Sequence, residues 1–424
     1  MKIVILNTHS VLNSGDAAIV AAEVDLLREY LGDLAITVTS RTPDADRAFY
    51  DRLGVQVLPP LLPTPSVFAT RRERFVGCVR GVASVRDKRR LIGTVREAEL
   101  VISSGGGYFF SARRGFPGPM FWQAFAHVRL AQHIGKPVVF APQSVGPFAN
   151  RLAARAMKRL LSHRTVHAIL LREPRSLATV RELLGDDAAI SRTFLCPDLA
   201  FLLGTDAPLV SRKASQAQRR PVLAVTARDW IFEGKRSAAA RAAARGRYLA
   251  SLAEVCVRFH RYSSGSVRIL PHSRGPGHLE DDRPISRALA GSLRGRIPDE
   301  CVTLVDLADD ASPRQVIAAL AETDLVLASR FHSAILAMAA ERPAIVLGYQ
   351  PKSEGTMELL GLGRFCLPMD GFDPSRAVEL VEEVLDDPER FAAARVRPAV
   401  ASARAEVRER MRTVLLSLPP GGQT

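Results

Sequence analysis

Polar side chains follow two apolar runs in the C-terminal half of the chain, and their types suggest chemistry. Residues 325–328 (LVLA) are typical of a buried parallel strand, and Arg330 and His332 come directly after them. A second apolar run, residues 343–347, is followed by Lys352. Because an open parallel sheet binds ligands at the carboxyl ends of its strands, we expect these three side chains to line one site. A guanidinium, an imidazole and an ammonium group together suit a small, multiply charged anion.

Length and composition are those of a globular protein with two domains. The chain has 424 residues, of which 47% are hydrophobic and 24% charged, so it can bury a core and global disorder is excluded. The net charge of +14 favours anionic partners such as phosphates, nucleic acid or an anionic membrane surface. A high-GC genome gives the same Arg-rich, Ala-rich composition and explains the charge at least as well. Five scattered cysteines without a CxxC pair indicate a reducing compartment and predict no metal site.

The cellular location is predicted from the absence of targeting signals. No apolar run is long enough to cross a bilayer, and the start of the chain, MKIVILNTHS, is typical of a first strand and not of a signal peptide. We therefore expect a cytoplasmic protein, either soluble or peripheral to a membrane. Residues 71–90 interleave basic and apolar side chains, which favours an amphipathic helix with a solvated basic face; a helix lying on anionic lipid is the alternative.

Strand-like and helix-like segments alternate through both halves of the chain. This alternation predicts an α/β fold with two Rossmann-like, doubly wound domains. Residues 205–221 are polar and aperiodic, so we assign them to a linker between an N-terminal domain (1–204) and a C-terminal domain (222–385). Residues 386–424 are predicted to form C-terminal helices and a tail. Two such domains are expected to face each other across a cleft, and clefts of this kind are favoured ligand sites.

Two glycine-containing turns in the N-terminal half are candidates for ligand contact. Asn13, Gly15 and Asp16 follow the first strand and lead into a helix, whose free N–H groups attract anions; a simple helix cap explains the same residues. The three glycines at 105–107 follow another strand and allow the backbone to approach a ligand or a neighbouring helix closely. In the C-terminal half, Arg228 ends a strand and is predicted either to join the anion site or to pair with a neighbouring carboxylate, Asp229 or Glu233.

Several function classes have no support in the sequence. There is no P-loop, no HExxH motif and no His/Cys ligand spacing, and no GxSxG elbow for a hydrolase triad. The glycine run does not have the GxGxxG spacing of dinucleotide-binding proteins. We predict no nucleic-acid binding, because aromatic residues make up only 6% of the chain and the basic residues are spread out.

Taken together, seven short segments resemble the polysaccharide pyruvyl transferase family, most of all the colanic-acid type. In chain order they are NSGDAAI at residue 13, ISSGGGYFF at 102, APQSVGPF at 141, LREPRS at 171, CPDLAFLL at 196, SRFHSAI at 329 and GYQPKSEG at 348. The resemblance implies a fold like that of GT-B glycosyltransferases. It also implies transfer of the enolpyruvyl group of phosphoenolpyruvate to two hydroxyls of one sugar, which yields a cyclic pyruvate ketal and phosphate. No nucleotide sugar and no cofactor are implied beyond phosphoenolpyruvate as co-substrate.

The resemblance also assigns roles to residues of this chain. Arg330 and His332 match the Arg-x-His element of the family, in which the Arg holds the donor and the His acts as acid. Arg228, Lys352 and Ser333 are the other residues that we assign to phosphoenolpyruvate. Acceptor-side residues are assigned to the N-terminal half, and they are Asn13, Gly15, Gly105, Gly106, Gly107, Ser111, Gln143, Ser144 and Arg172.

The sequence departs from the family at the expected general base. Many relatives have an Asp a few residues after the glycine run, and Ser111 occupies that place here. Either Asp16 or another carboxylate takes the role, or the activity is weakened or altered.

We therefore expect a cytoplasmic transferase that builds a pyruvate ketal on a sugar of an exopolysaccharide or another cell-envelope glycan precursor. A lipid-linked acceptor is a further hypothesis, and it would give residues 71–90 a reason to contact the inner membrane face. Two rival interpretations remain. One is a nucleotide-sugar glycosyltransferase of the same fold, which would use a carboxylate such as Glu354 or Glu358. The other is a non-catalytic glycan-binding relative, which Ser111 suggests.

Overall fold

The computed structural model describes residues 1–62, 85–111, 118–204, 220–229, 237–277, 280–349 and 351–418. Its packing divides the chain into two compact units. The first contains the described residues of 1–11, 16–199 and 404–424, and the second those of 12–15 and 200–403. Most of the predicted linker, 205–221, and most of the basic segment, 71–90, lie outside the described residues.

The first unit is built on a seven-stranded parallel sheet. Its strands, in chain order, are β1 (Lys2–Leu6), β2 (Ala35–Thr39), β3 (Gln56–Leu58), β4 (Leu100–Ser103), β6 (Val138–Gln143), β8 (Val166–Leu171) and β9 (Thr193–Leu195). The spatial order is β3-β2-β1-β4-β6-β8-β9. Two further strands, β5 (Phe109–Ser111) and β7 (Val145–Phe148), pair separately. Every residue of β4 and β6 is buried, as expected for strands covered on both faces.

Helices follow most of these strands. They are α1 (Ser14–Leu31), α2 (Pro43–Arg52), α3 (Val85–Glu97), α4 (Pro119–Ile134), α5 (Arg151–Leu161) and α6 (Pro174–Leu184). Local chemistry marks their ends. The Asn150 side chain accepts hydrogen bonds from two N–H groups of α5, and Gly135 ends α4 with a left-handed φ of 84°.

The second unit repeats the plan with six parallel strands. They are β10 (Val222–Thr226), β11 (Ser266–Ile269), β12 (Val302–Leu304), β13 (Leu325–Ala328), β14 (Ala344–Gly348) and β15 (Cys366–Pro368), in the order β12-β11-β10-β13-β14-β15. The helices are α7 (Ala238–Ser263), α8 (Arg283–Leu293), α9 (Pro313–Ala321), α10 (Phe331–Ala339), α11 (Pro351–Leu359), α12 (Pro374–Leu385) and α13 (Pro388–Phe391).

The strand order reverses between β1 and β4 in the first sheet and between β10 and β13 in the second. Such switch points are where doubly wound sheets bind ligands, at the carboxyl ends of the strands. The prediction of two Rossmann-like α/β units is therefore confirmed. The residues that follow β10 and β13 include Arg228 and Arg330, so both arginines flank the switch point of the second sheet.

The end of the chain divides differently from the sequence-based boundaries. The last helix, α14 (Arg397–Leu416), follows a π-helical turn at Ala392–Val396, and residues from 404 onward belong to the first unit. Arg408 forms a salt bridge with Glu29, and Ser417 hydrogen bonds to His167. These contacts involve side chains hundreds of residues apart, which periodicity cannot predict. In the part of the chain that the structure describes, no helix has the length and apolar character needed to span a bilayer.

Candidate functional site

The second sheet brings four segments into one row at its carboxyl edge. Val225 of β10 is in register with Ile269 of β11 and with Leu327 of β13. Three residues further along these strands come Arg228, His272 and Arg330. On the far side of β13, the residue level with Arg330 is Gly348 at the end of β14; Tyr349 follows it, and Lys352 lies in the first turn of α11. Strand register alone therefore places the predicted anion-binding residues on neighbouring strands.

Arg330 is held by a buried carboxylate. It occupies the N-cap position of α10, and its Nε and Nη2 atoms donate to Oδ2 and Oδ1 of Asp282 at 2.8 and 2.6 Å. Burial opposes the charge of Arg330, but the Asp282 carboxylate outweighs burial and raises the pKa of Arg330. Asp282 supplies the neutralising charge and fixes the guanidinium in one orientation.

Arg228 packs on an aromatic ring. Its Cζ atom lies 4.2 Å from the centroid of the Tyr349 ring. Burial lowers the pKa of Arg228 to about 10, so the side chain is still cationic at neutral pH. The sequence also allowed Arg228 to pair with Asp229 or Glu233. In the structure Asp229 forms a salt bridge with Arg245 at 2.8 Å, and Glu233 lies outside the described residues.

Tyr349 is a member of this group that sequence analysis did not select. Burial by itself would raise the pKa of its phenol, but the positive charges of Arg228, Lys352 and Arg330 outweigh burial and lower it. Arg228 is the cation in contact with the Tyr349 ring, and Lys352 and Arg330 add to the electrostatic effect on the phenol. The signal in the sequence was its position, directly after Gly348 at the end of β14.

His332 lies in the first turn of α10 and is in close contact with Gly15. A Cβ atom added to Gly15 would lie 2.4 Å from Cβ and Cγ of His332, so any side chain at position 15 would displace the imidazole. Asn13 holds this turn, because its Oδ1 accepts the N–H of Gly15 at 3.1 Å. Residues 12–15 belong to the second unit. Asn13 and Gly15 were assigned to the acceptor side of the N-terminal domain, and the structure instead places them beside His332.

Ser333 does not have the surroundings of a ligand contact. It is fully buried, its hydroxyl donates to the carbonyl of Arg330 at 2.6 Å, and it lies 2.8 Å from the hydroxyl of Thr226. These bonds tie the start of α10 to the end of β10. We therefore reassign Ser333 from donor binding to positioning of the Arg330 backbone.

His272 also lies in this row, and the sequence analysis did not select it. It is fully buried, and among the described residues neither ring nitrogen has a hydrogen-bond partner. Burial, together with the positive charges of Arg330 and His332, holds its pKa well below 6.5. The signal in the sequence was its position shortly after the apolar run of β11. It lies three residues beyond Ile269, as Arg228 lies three residues beyond Val225, the residue in register with Ile269.

In the first unit, Asp16 lies beside a histidine. Its Oδ2 is 3.6 Å from Nδ1 of His9, and Arg41 donates to Nε2 of the same ring at 2.7 Å. The His9 ring stacks on Tyr108, with centroids 6.3 Å apart and an interplanar angle of 8°. The imidazole is thus oriented by a carboxylate, a guanidinium and a ring. His9 follows β1 at the switch point of the first sheet, which is where a ligand is expected.

The glycine run is required by close packing. A Cβ on Gly105 would lie 2.8 Å from the carbonyl oxygen of Pro142, and one on Gly106, whose φ is 157°, would lie 2.2 Å from the Tyr108 ring. Gly107 belongs to the same turn. These contacts explain the glycines without a ligand.

Ser111 is a structural residue. It is buried at the end of β5, and its hydroxyl accepts the N–H of Asn150 at 3.1 Å. This hydrogen bond ties β5 to the start of α5. The serine therefore has a local reason to be there that is independent of base catalysis.

Three further acceptor-side predictions fall on a buried polar network. Arg172 is fully buried, and it donates to Asp198 at 2.7 Å and to the Ser144 hydroxyl at 2.8 Å. Ser144 donates in turn to Glu173 at 3.1 Å. Gln143 is buried and donates to the carbonyl oxygen of Ser103 at 3.3 Å. The bonds of Arg172 and Ser144 hold elements of the unit together, whereas Gln143 Oε1 is buried without a hydrogen-bond partner among the described residues, so substrate contact by these three residues stays a prediction.

The two parallel-sheet units, the second with a cationic edge, define the class of protein: an α/β protein built like the GT-B transferases. Solved structures of similar fold include HepE of Anabaena in complex with UDP, at 14% identity and a TM-score of 0.57 over 99% of this chain and 100% of that chain. UDP-GlcNAc 2-epimerase of Neisseria meningitidis matches at 12% identity and a TM-score of 0.58 over 98% of this chain and 100% of that chain. At these identities the likeness concerns the fold alone.

The family model for polysaccharide pyruvyl transferases matches residues 13–351, and the chain belongs to this family. The amylovoran biosynthesis protein AmsJ of Erwinia amylovora is 25% identical over 414 residues, which cover 92% of this chain and 94% of that protein. The resemblance seen in the seven sequence segments is thereby confirmed, and a transferase role follows from the family.

Proposed function

We propose that the protein transfers the enolpyruvyl group of phosphoenolpyruvate to two hydroxyls of one sugar in an exopolysaccharide or another cell-envelope glycan precursor. The products are a cyclic pyruvate ketal and phosphate. The observation that carries the proposal is the pair of Arg228 and Arg330 at the switch point of the second sheet, with His332 in the first turn of α10 and Lys352 in the first turn of α11. A relative named for amylovoran biosynthesis supports a polysaccharide as the acceptor.

The chemistry assigned to the row follows from its charges. Cations close to the phosphate stabilise the negative charge that develops as the phosphate leaves, and a cation on the carboxylate orients the donor. Arg330 is suited to orientation because Asp282 fixes its guanidinium. Arg228 and Lys352 supply positive charge around Tyr349.

His332 is the proposed acid. In its imidazolium form it gives a proton to C3 of phosphoenolpyruvate, and C2 becomes electrophilic. The first sugar hydroxyl adds to C2 and loses its proton to a base. The C2–O bond to phosphate then breaks, and the second hydroxyl adds to C2 and loses its proton to close the ketal ring. Gly15 supports this role, since its lack of a side chain leaves room for the imidazole.

We assign the base to Asp16. The Ser111 hydroxyl is engaged by the N–H of Asn150, so position 111 does not supply a base. The Asp16 carboxylate lies 3.6 Å from Nδ1 of His9, and because Arg41 donates to Nε2, the ring proton is on Nδ1 and orients the carboxylate. No cofactor and no metal ion enter this scheme.

The proposal includes the cellular location of the reaction. We propose that the reaction takes place in the cytoplasm, on a lipid-linked acceptor at the inner membrane face. The described part of residues 71–90 is the start of α3, where Arg86, Arg89 and Arg90 are exposed. Further along the same helix, Leu91 and Val95 are buried. Sedimentation with liposomes tests the membrane contact, and binding that does not depend on anionic lipid would contradict it.

The proposed function is tested by incubating the full-length protein with phosphoenolpyruvate and an acceptor glycan. We expect phosphate release together with a pyruvyl ketal on the glycan, detected by mass spectrometry. Release of nucleoside diphosphate from a sugar nucleotide would support the glycosyltransferase alternative, whose candidate carboxylates Glu354 and Glu358 are exposed on α11. Glycan binding without release of phosphate or of nucleoside diphosphate would support the interpretation as a non-catalytic relative.

The His332→Gln variant tests the mechanism. It should lower turnover roughly 10²- to 10⁴-fold, as expected for loss of a general acid, without a large change in melting temperature. His133→Gln is the matched control, because His133 is an exposed histidine on α4. Unchanged turnover in His332→Gln would remove this residue from the mechanism.

A further inference from the structure

Within the part of the chain that the structure describes, His272 differs from the other deeply buried histidine, His127. Neither ring nitrogen of His272 has a hydrogen-bond partner among the residues that the structure describes. His127 is also buried, but the N–H of Leu61 donates to its Nε2 at 2.8 Å, and its Nδ1 lies 2.8 Å from Oδ1 of Asn7. A buried polar group without partners destabilises the folded protein, so such a group calls for an explanation.

The backbone around His272 is firmly held. The carbonyl oxygen of His272 accepts the N–H of Ser14 at 3.3 Å. The next residue, Ser273, donates its N–H to Asp282 at 2.9 Å and forms an isolated β-bridge with Asn13. The imidazole is therefore fixed in place by its main chain, although its own nitrogens contribute no bond. Such pre-organisation is expected of a side chain that waits for a ligand.

Its neighbours are cationic. Positive charge reaches His272 from Arg330, His332, Arg274 and Arg228. Strand register places it next to Arg228, on the side of β10 that is opposite to Arg330. This cationic surrounding favours an anionic oxygen as the ligand group that contacts the imidazole.

We propose that His272 is a donor-binding residue whose ring N–H donates a hydrogen bond to an anionic oxygen of phosphoenolpyruvate. This inference rests on the proposed function, and it extends the donor site by one strand. Because the ring is neutral near pH 7, it adds a hydrogen bond without adding a further cation to a buried row that already has Arg228 and Arg330. A protonated imidazole there would be repelled by both arginines.

The test uses two substitutions of His272 and one of His127 in the full-length protein. His272→Phe keeps the volume and removes both nitrogens, so it should raise the dissociation constant for phosphoenolpyruvate about 10- to 100-fold, as expected for a lost hydrogen bond to a charged group. His272→Gln retains an N–H donor and should have an intermediate dissociation constant. In kinetics, His272→Phe should raise KM more than it lowers kcat, since the lost bond is made in ground state and transition state alike.

Melting temperature separates a binding role from a structural one. His272→Phe should melt no lower than the wild type in the absence of ligand, because the ring makes no bond there. His127→Phe should melt lower, because Asn7 and the N–H of Leu61 lose their partner. A melting temperature of His272→Phe that falls like that of His127→Phe, or a failure of this variant to fold, would overturn the proposal.

Binding data separate this inference from the proposed function. Equal phosphoenolpyruvate affinity in the wild type and in His272→Phe would overturn the role of His272 and leave the proposed function intact. A wild type that binds no phosphoenolpyruvate would instead overturn the proposed function, and this inference with it.

Discussion

The carboxyl edges of the two sheets hold their buried arginines in different ways. In the first unit, Arg172 is surrounded by its own protein partners, with Asp198 at 2.7 Å and Glu173 at 3.7 Å. In the second unit, Arg330 is likewise paired, with Asp282 at 2.6 Å, but Arg228 stacks on the Tyr349 ring. Arg172 is thus held by carboxylates, whereas Arg228 packs on an aromatic ring.

The comparison teaches that an arginine after a parallel strand is not by itself a ligand-binding residue. Arg172 and Arg228 both follow buried strands and both were predicted to contact substrates. What separates them is the number of carboxylates that the fold brings to each. The two sites therefore predict opposite responses to the same substitution.

Replacing each arginine by Met tests this contrast and should have the largest effect. Arg172→Met leaves Asp198 buried without its salt bridge, so the free energy of unfolding should fall by about 3–5 kcal/mol. Arg228→Met should change the stability by less than about 1 kcal/mol, because the lost cation–π contact is offset by the removal of a buried charge. It should, however, raise KM for phosphoenolpyruvate at least about tenfold. Urea unfolding and steady-state kinetics measure the two quantities, and equal destabilisation of both variants would refute the contrast.

A buried carboxylate of the first unit makes the stability of the protein depend on pH. Glu23 of α1 is fully buried and accepts the Ser104 hydroxyl at 2.7 Å. Burial, opposed by that hydrogen bond, raises the pKa of Glu23 to about 7. A carboxyl group whose folded-state pKa is raised favours the folded protein at low pH, and this contribution is lost as the pH rises from about 4.5 to about 7.

The Glu23→Gln variant should therefore gain stability over the wild type as the pH rises through this window. The gain should level off above pH 7 at about 3 kcal/mol at most. Urea unfolding at several pH values between about 5 and 8 measures it. Glu182→Gln, at an exposed glutamate of α6, is the control and should show no such trend. A constant difference between Glu23→Gln and the wild type would mean that Glu23 does not titrate there.

A smaller change in stability than that of Arg172→Met is expected at Gly15 of the second unit. In Gly15→Ala the new methyl group would overlap His332, so the stability should fall by about 1–3 kcal/mol. Turnover should fall up to about 100-fold, since displacement of a catalytic group by about 1 Å is that costly. Gly246→Ala is the matched control. Gly246 is exposed in α7, a Cβ there would meet nothing within 4 Å, and Ala should stabilise the helix by about 0.5–1 kcal/mol. Wild-type turnover in Gly15→Ala would show that the contact with His332 does not matter.

Local patterns were sufficient for much of the fold. The apolar runs predicted the buried strands of both sheets, because a parallel strand covered on both faces is apolar along its whole length. The polar residues after β13 and β14 were found for the same reason, since they interrupt such runs. The ordered set of seven segments was enough to indicate the family.

The sequence could not reveal which polar residues already have partners. Arg330 and Asp282 are 48 positions apart, and Arg172 and Asp198 are 26 apart, so neither ion pair is visible in a local pattern. For the same reason the sequence did not show that Ser144 and Arg172 have partners inside the unit. His272 was passed over because a single histidine carries no periodicity.

The sequence by itself determined the two parallel sheets, the family and the cationic residues that follow β13 and β14, because these depend on hydrophobic runs and on short motifs. Only the tertiary structure decided that Asp282 fixes Arg330, that Gly15 contacts His332 and that His272 lies in the same row as Arg228. The physical reason is that strand register and buried ion pairs join residues far apart in the chain, and such pairings form only when the sheet is assembled.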